Sequence, residues 1–295
     1  MSPTVSPARA EEFAAALQLI FQVRPAADAL RALDEGTLNP SGLLVVRDEI
    51  GVAAATLAAM LPDGGAVVWP PRTRPGAVDV TDLLAGHVVI WLLEHGAKTA
   101  QALLAPEDTA AARPLLSHGF RHVTTLWYLR HYLDIAAAIL GAPDNLDLST
   151  YAATDPALFR ATLAQTYQGT QDFPELNGVR TPDEVLAGYQ ADGFDPDRWW
   201  IGFVDAQAVG VLLVNPTPDW GGWEVEYVGV IPEARRRGYA SELVRLALIE
   251  AKAAGVPYVS LAVDARNQPA RELYRRLGFE PFDRREVFLC IFHER

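Results

Sequence analysis

Residues 223–255 read WEVEYVGVIPEARRRGYASELVRLALIEAKAAG, so a β-rich run, a basic loop and a helical run follow one another directly. The first part, 223–231, predicts a strand because valine and aromatic residues dominate it. The last part, 240–254, predicts a helix. Gly255 then stands where a helix usually ends, because glycine adopts a left-handed backbone at low cost. The segment is therefore predicted to form a strand–loop–helix unit.

The loop of this unit, 235–240, carries three consecutive arginines and Gly238. A helix N-terminus has unpaired N–H groups and partial positive charge. Arginines just ahead of it are unfavourable unless an anion lies there, and Gly238 lets an anion approach the backbone closely. A pyrophosphate meets both conditions, whereas the alternative is a basic turn exposed to solvent.

Downstream of the loop, residues 269–277 predict a second helix with proline at a favoured first-turn position. Asn267, Ala270 and Tyr274 are three and four residues apart, so they are expected on one face of this helix. The two segments together are similar to the GNAT superfamily of acyl-CoA N-acyltransferases.

The resemblance to this family rests on two motifs. Its loop pattern, Gln/Arg-x-x-Gly-x-Gly/Ala, is matched by Arg235, Gly238 and Ala240. Its later pattern, Asn-x-x-Ala-x-x-x-Tyr-x-x-x-Gly-Phe, is matched by Asn267, Ala270, Tyr274, Gly278 and Phe279. Residues 223–280 carry the resemblance, and the tandem layout described below also resembles the architecture of mycothiol synthases.

The resemblance implies an acyl-CoA-dependent N-acetyltransferase with acetyl-CoA as the acyl donor, in a cleft where two parallel strands splay. Backbone groups that would bind the pantetheine arm belong to Val228, Gly229 and Val230. Those that would hold the pyrophosphate belong to Arg235, Arg236, Arg237, Gly238, Tyr239, Ala240 and Ser241. Asn267 and Arg271 would contact the cofactor further along.

Two acidic residues of the strand are candidates for catalysis. Attack by an amine on a thioester needs an acceptor for the amine proton and a proton for the thiolate. Glu224 and Glu226 alternate along the strand, so with Val228 and Val230 they are expected on one face. Burial beside a like charge would raise the pKa of one carboxyl towards the range of a base.

The family position, counted back from the loop, implies that Glu224 is the base. Glu226 is the second choice, or positions the amine; the alternative is that both carboxylates face solvent. The resemblance implies that Tyr274 protonates or stabilises the leaving thiolate, against the alternative of an ordinary core tyrosine.

The two halves of the chain repeat one pattern. Gly96 and Gly255, each after an apolar helix-like run, lie 159 residues apart, and so do the Gly-Phe pairs that begin at Gly119 and Gly278. A β-rich run follows each pair. We therefore expect an α+β fold of two tandem domains, each a mixed central sheet flanked by helices. Their predicted bounds are 1–135 and 151–295, with a linker at 136–150.

The first half has lost the chemical positions of the second. With the offset of 159, Gly238 falls on Asp79 and Tyr274 falls on Leu115. Asp79 and Asp82 near a helix start would satisfy the helix dipole and repel a phosphate. We therefore expect the N-terminal copy to be degenerate, without turnover of its own.

Composition disfavours several other classes of protein. The chain has 25 Lys and Arg against 37 Asp and Glu, a net charge of −12, which disfavours nucleic-acid binding. Its apolar runs are too short or too charged to span a bilayer, so no membrane association is expected. One cysteine, Cys290, fits a reducing compartment and a cytoplasmic location. Six histidines without close carboxylate partners in sequence predict no metal site.

The predicted reaction is acetyl transfer to the primary amine of a small molecule, by a monomer or a homodimer. One alternative is a non-catalytic module that binds or senses acyl-CoA. The joint presence of Glu224, Glu226 and Tyr274 favours the enzyme. A further alternative, O-acyl transfer or another acyl chain, would need the same grip on coenzyme A.

Overall fold

The computed structural model describes residues 3–21, 23–133, 144–191, 193–217 and 221–292. Within these ranges the strands are β1 (Val5–Pro7), β2 (Leu43–Asp48), β3 (Gly51–Met60), β4 (Ala66–Thr73), β5 (Thr99–Leu104), β6 (Arg121–Tyr132), β7 (Asp147–Thr150), β8 (Trp199–Val204), β9 (Gln207–Thr217), β10 (Gly222–Val230), β11 (Tyr258–Asp264) and β12 (Glu280–Ile291). The α-helices are α1 (Phe13–Ile20), α2 (Val23–Asp34), α3 (Thr81–Glu94), α4 (Arg113–Leu116), α5 (Pro156–Thr166), α6 (Pro182–Gln190), α7 (Tyr239–Ala253) and α8 (Gln268–Arg276).

The chain forms two compact units that do not coincide with its two halves. Unit 1 consists of Met1–Thr124 and Arg285–Arg295, and unit 2 consists of Thr125–Arg284. Strands β6 and β12 are each divided between the units. Part of the predicted linker 136–150 lies outside the described residues, since 134–143 are not described, and β7 begins within it.

Both units build the same mixed sheet. In unit 1 the order is β1-β2-β3-β4-β5-β12, with β4 and β5 parallel and the other pairs antiparallel. In unit 2 the order is β7-β8-β9-β10-β11-β6, with β10 and β11 parallel and the other pairs antiparallel. The expected α+β fold with two tandem copies is confirmed.

The last strand of each sheet comes from the other half of the chain. Residues 286–291 of β12 pair with β5, in unit 1, and residues 126–132 of β6 pair with β11, in unit 2. The two units are therefore completed by an exchange of C-terminal strands.

Each sheet is covered by helices on both faces, which is how its apolar residues are buried. In unit 2, Leu243 and Val244 of α7 pack with Val225 and Val230 of β10 in one core. A separate core on the other face contains α5 and the strands β8 and β9, with Phe159, Leu163, Trp199, Ile201, Val211 and Leu213. No helix among the described residues is long and apolar enough to cross a bilayer.

Candidate active site

Strands β10 and β11 separate in the middle of the sheet of unit 2. They pair in parallel from Trp223 to Val225, and the pairing ends there, although β11 continues to Asp264 alongside β6. On its other edge β10 stays paired with β9 as far as Val230. The backbone groups of 228–230 that face away from β9 therefore have no strand partner in β11. Such an open edge is where an extended ligand can pair with a sheet.

A β-bulge accompanies this separation. The register against β9 shifts between Val225 and Tyr227, so Glu226 is the extra residue of β10. The bulge reverses the alternation of side chains beyond it. Tyr227 consequently packs against the core that contains Phe159, whereas Val225 packs under α7.

The bulge corrects one prediction about the carboxylates. The expectation that Glu224 shares a face with Val228 and Val230 is wrong. Cross-strand pairing places Glu224 on the face of Tyr227, and both valines on the opposite face with the core under α7. An uninterrupted strand would have kept Glu224, Glu226, Val228 and Val230 on one side, and the extra residue prevents it.

Among the described residues of unit 2, three cavities lie side by side along the open edge of β10 and together form a groove. We name them by position: the loop cavity, of about 550 Å³, lies against the 235–241 loop and α8. The central cavity, of about 290 Å³, lies at the separated strands. The distal cavity, of about 360 Å³, lies between α5, α6 and the 172–180 segment. The central cavity shares lining residues with both others, whereas the loop and distal cavities share none.

The structure brings most predicted cofactor residues together. Those that line the loop cavity are Val228, Gly229, Val230, Arg235, Arg236, Gly238, Tyr239, Ala240, Ser241 and Asn267. Arg237 and Arg271 line none of the three cavities. The Arg271 guanidinium instead donates to the carbonyl oxygen of Ala265 at 3.1 Å and lies 5.6 Å from the ring of Trp127.

The backbone of the loop forms a concave row of donors. Arg236 and Gly238 both have positive φ, 66° and 93°. Within the part of the chain that is described, the five N–H groups from Arg236 to Ala240 donate to no acceptor. Successive unpaired N–H groups ahead of a helix bind anions. The loop is therefore able to hold a diphosphate through its backbone.

Arg235 supports the loop with its side chain. Its guanidinium donates to the carbonyl oxygens of Thr166 at 3.0 Å, of Gln168 at 2.5 Å and of Val230 at 3.0 Å. The carbonyl groups at the end of α5 need such partners because they have none within the helix. The argument that all three arginines point to an anion is therefore wrong for the Arg235 side chain. Arg236, like Arg235, lines both the loop and the central cavity.

The two predicted carboxylates occupy different surroundings. Glu226, at the bulge, is exposed and lines the central and distal cavities. Glu224 lies before the strands separate, is partly buried and lines none of the three. Burial raises the pKa of the Glu224 carboxyl above its ordinary value.

Asp172 is a third carboxylate at the groove. It lines the central and distal cavities and accepts the backbone N–H of Asp264 at 2.9 Å. Burial raises its pKa. The hydrogen bond ties the 170–177 segment to the end of β11. Because the partners are 92 residues apart, no local pattern could have revealed it.

Tyr274 lies on α8, is buried and lines the loop and central cavities. Burial raises the pKa of its hydroxyl well above the ordinary value, and the nearby Asp172 and Tyr227 act in the same direction. The hydroxyl therefore keeps its proton at neutral pH. Among the described residues it has no hydrogen-bond partner, so the proton is available to a group in the cavity.

Unit 1 lacks these features at the corresponding place. Asp79 accepts both the N–H and the hydroxyl of Thr81 at the start of α3, at 3.0 and 2.8 Å. Pro70 and Pro71 lie in β4, the strand of unit 1 that pairs in parallel with β5, and proline donates no backbone hydrogen bond. Neither a diphosphate nor a pantetheine arm would find the same donors there. Within the described ranges no group of three or more His, Cys, Asp or Glu side chains could hold a metal ion.

Comparison with known proteins agrees with this geometry. Residues 164–279 match the model of the acetyltransferase (GNAT) family. A mycothiol acetyltransferase of Beutenbergia cavernae is 32% identical over 207 residues, covering 63% of this chain and 68% of the relative. That of Thermobispora bispora is 29% identical over 272 residues, covering 86% of this chain and 88% of the relative.

Solved structures show the same fold over the whole chain. A GCN5-related N-acetyltransferase from Sphaerobacter thermophilus gives a TM-score of 0.66 at 23% identity, covering 98% of this chain and 95% of that one. A tandem GNAT protein from the clavulanic acid biosynthesis pathway gives 0.59 at 18% identity and covers all of both chains. With the sequence motifs, the open strand edge and these relatives, the chain belongs to the GNAT family of acetyltransferases, as a tandem-domain, acetyl-CoA-dependent N-acetyltransferase.

Proposed function

We propose that unit 2 transfers the acetyl group of acetyl-CoA to the primary amine of a small molecule by direct attack. The observation that carries this proposal is the loss of β10–β11 pairing after Val225. It opens one groove, with the donor-rich loop at one end and the carboxylates of Asp172 and Glu226 at the other. A thioester held along this groove would have its reactive carbon near the central cavity.

For the donor, we assign the pantetheine arm to the backbone of Val228, Gly229 and Val230. The N–H groups from Arg236 to Ala240 take the diphosphate. Asn267 is the N-cap of α8, where its side chain accepts the N–H of Ala270 at 3.3 Å, and it lines the loop cavity.

For the chemistry, the neutral amine attacks the thioester carbon, and a C–N bond forms as the C–S bond breaks. The amine proton passes to a glutamate. Glu224 is our first choice as base, because burial raises its pKa above the ordinary value. Since Glu224 lines none of the three cavities, the proton reaches it through water. Glu226, at the groove itself, positions the amine or serves as base in its place. The departing thiolate takes the proton of Tyr274.

The test measures thiol release from acetyl-CoA across a panel of primary amines, with acetyl-CoA binding followed by calorimetry. We expect amine-dependent release by the wild-type protein. Glu224→Gln and Tyr274→Phe should bind acetyl-CoA normally and release thiol more slowly. If both variants match the wild type in rate and pH profile, the assigned roles are wrong. If acetyl-CoA binds but no amine is acetylated, the amine acceptor is wrong.

A further inference from the structure

The distal cavity lies on the opposite side of the carboxylates from the cofactor loop. It shares Asp172, Glu226 and Tyr227 with the central cavity and no lining residue with the loop cavity. A molecule in the distal cavity would therefore meet the thioester from the side that coenzyme A does not occupy. If the proposed function holds, the acceptor binds in the distal cavity. The residues that line this cavity then indicate the chemical class of the acceptor.

The walls of the distal cavity are mainly apolar and aromatic. The hydroxyl groups of Tyr167 and Tyr189 bind each other at 2.8 Å, and that of Tyr227 binds Thr166 at 2.9 Å. The rings of Tyr167 and Tyr227 are stacked, 4.8 Å apart. Because their hydroxyl groups have partners in the protein, these tyrosines offer ring surface rather than polar contacts. An apolar or aromatic body is what such walls accommodate.

The lining of the distal cavity contains both acidic and basic side chains. Asp172 and Glu226 line the border with the central cavity, whereas Arg180 is the cation of the distal lining. Burial lowers the pKa of Arg180, although Tyr189 and Glu184 act in the opposite direction. A guanidinium that lines a cavity can donate charge-assisted, bidentate hydrogen bonds to a carboxylate or sulfonate that enters it. Because the loop cavity is separate, that anion is not a phosphate of coenzyme A.

We infer that the acceptor is a small primary amine that also carries an anionic group, with an apolar or aromatic spacer between the two. The ammonium group is drawn to Asp172 and Glu226, and the anion binds Arg180. This inference rests on the proposed function and adds to it the chemical class of the acceptor, with Arg180 as the residue that determines specificity.

The test compares acceptors that differ only in the group at the far end. 2-Phenylethylamine, 4-(2-aminoethyl)benzamide, 4-(2-aminoethyl)benzoate and 4-(2-aminoethyl)benzenesulfonate share the amine and the ring, and the last two distinguish carboxylate from sulfonate. We expect kcat/KM for the anionic acceptors to exceed that of the neutral ones by roughly 10- to 100-fold. Arg180→Met should lower kcat/KM far more for the two anionic acceptors than for 2-phenylethylamine, and Arg180→Lys should retain part of the preference.

Arg160→Met is the matched control, because Arg160 makes an exposed ion pair with Asp183 at 2.6 Å near the same helices. It should retain the full preference. Equal kcat/KM for neutral and anionic amines in the wild-type protein would overturn the acceptor class and leave the proposed function standing. A loss in Arg180→Met that is equal for all four amines would overturn the role of Arg180. Absence of acetylation despite acetyl-CoA binding would overturn the proposed function itself.

Discussion

The guanidinium of Arg235 lies 3.0 Å from the carbonyl oxygen of Thr166, the last residue of α5. The same side chain binds Val230, the last residue of β10, so one residue of the cofactor loop joins a helix end to the open strand. The family motif has arginine or glutamine at this position, and both side chains carry N–H donors. Here the side-chain donors of Arg235 stabilise the conformation of the loop, and the backbone N–H groups of the loop stay available to a ligand.

Arg235→Met should destabilise the fold. Charge-assisted hydrogen bonds to carbonyl groups that would otherwise be unsatisfied contribute about 2–3 kcal/mol. Arg237, exposed in the same loop, lines no described cavity, and Arg237→Met should change the free energy of unfolding by about 0.5 kcal/mol or less. Urea unfolding of the two variants measures the difference. Equal stability would show that the Arg235 contacts contribute nothing.

Gly238→Ala should weaken coenzyme A binding. Gly238 has a φ of 93° and opens onto the loop cavity, so alanine there adds backbone strain of about 1–2 kcal/mol and a methyl group beside the diphosphate. Gly255, just after α7, has a φ of 73°, and an added Cβ meets no atom within 4 Å at either glycine. Gly255→Ala should therefore lower stability by a similar amount and leave the affinity for coenzyme A unchanged in calorimetry. Equal affinity in both variants would contradict the placement of the diphosphate.

Glu224→Gln should raise stability at neutral pH. The pKa of Glu224 is raised by burial, so the protonated carboxyl contributes stability that is complete below the unfolded value of about 4.3 and is lost as pH rises through the folded value. Glutamine resembles the protonated form at every pH. The variant should exceed the wild type in urea unfolding at pH 7 and approach it below pH 4.

Glu272→Gln is the control, because its change in stability at pH 7 should have the opposite sign to that of Glu224→Gln. Hydrogen bonds from Arg275 and Arg276 lower the pKa of Glu272, so its contribution is present above the unfolded value and is lost as pH falls through the folded one. This variant should be less stable than the wild type at pH 7 and converge with it in acid. If the two variants shift in the same direction, the assigned environments are wrong.

Glu224→Gln should also alter the pH dependence of catalysis. A base must be ionised, so kcat/KM of the wild type falls as pH drops below its raised pKa. The variant should lose that limb of the profile and much of the rate. Should the limb persist in Glu224→Gln and vanish in Glu226→Gln, the exposed residue of the bulge is the base.

Tyr274→Phe should lower kcat by roughly 100-fold while leaving the affinity for acetyl-CoA unchanged. The described residues give its hydroxyl no partner, so the free energy of unfolding should change by about 0.5 kcal/mol or less. Tyr227→Phe breaks the 2.9 Å hydrogen bond to Thr166 and should reduce stability by about 1 kcal/mol. Stopped-flow thiol release and urea unfolding separate the two effects. A stability loss in Tyr274→Phe as large as that in Tyr227→Phe would favour a structural tyrosine.

Local sequence signals predicted the strand–loop–helix unit and the second helix of unit 2 well. The predicted strand 223–231 and helices 240–254 and 269–277 match β10, α7 and α8 to within one residue at each end. The loop and the second motif also appear in the structure around one groove, because residue spacing along a helix and a strand is fixed by their periods. These features depend on neighbours in sequence.

The structural features that could not be predicted from the sequence depend on contacts between segments far apart in the chain. The sequence around Glu226 alternates as any half-buried strand does, and only the register against β9 reveals the bulge. The carbonyl partners of Arg235 at Thr166 and Gln168 lie more than 60 residues away, as does the N–H that Asp172 accepts. An arginine just before a helix gives the same sequence pattern whether its side chain binds an anion or the carbonyl groups at the end of another helix.

The exchange of C-terminal strands fixes the order in which the protein can be completed during synthesis. The strand that pairs with β5 ends at Ile291, so a nascent chain that has made only its first 135 residues holds an unfinished sheet. The ribosome must therefore translate the C-terminal half before the sheet of unit 1 can be completed. A chain stopped after Arg284 would leave the edge of β5 open to other molecules, so premature termination affects the half made first.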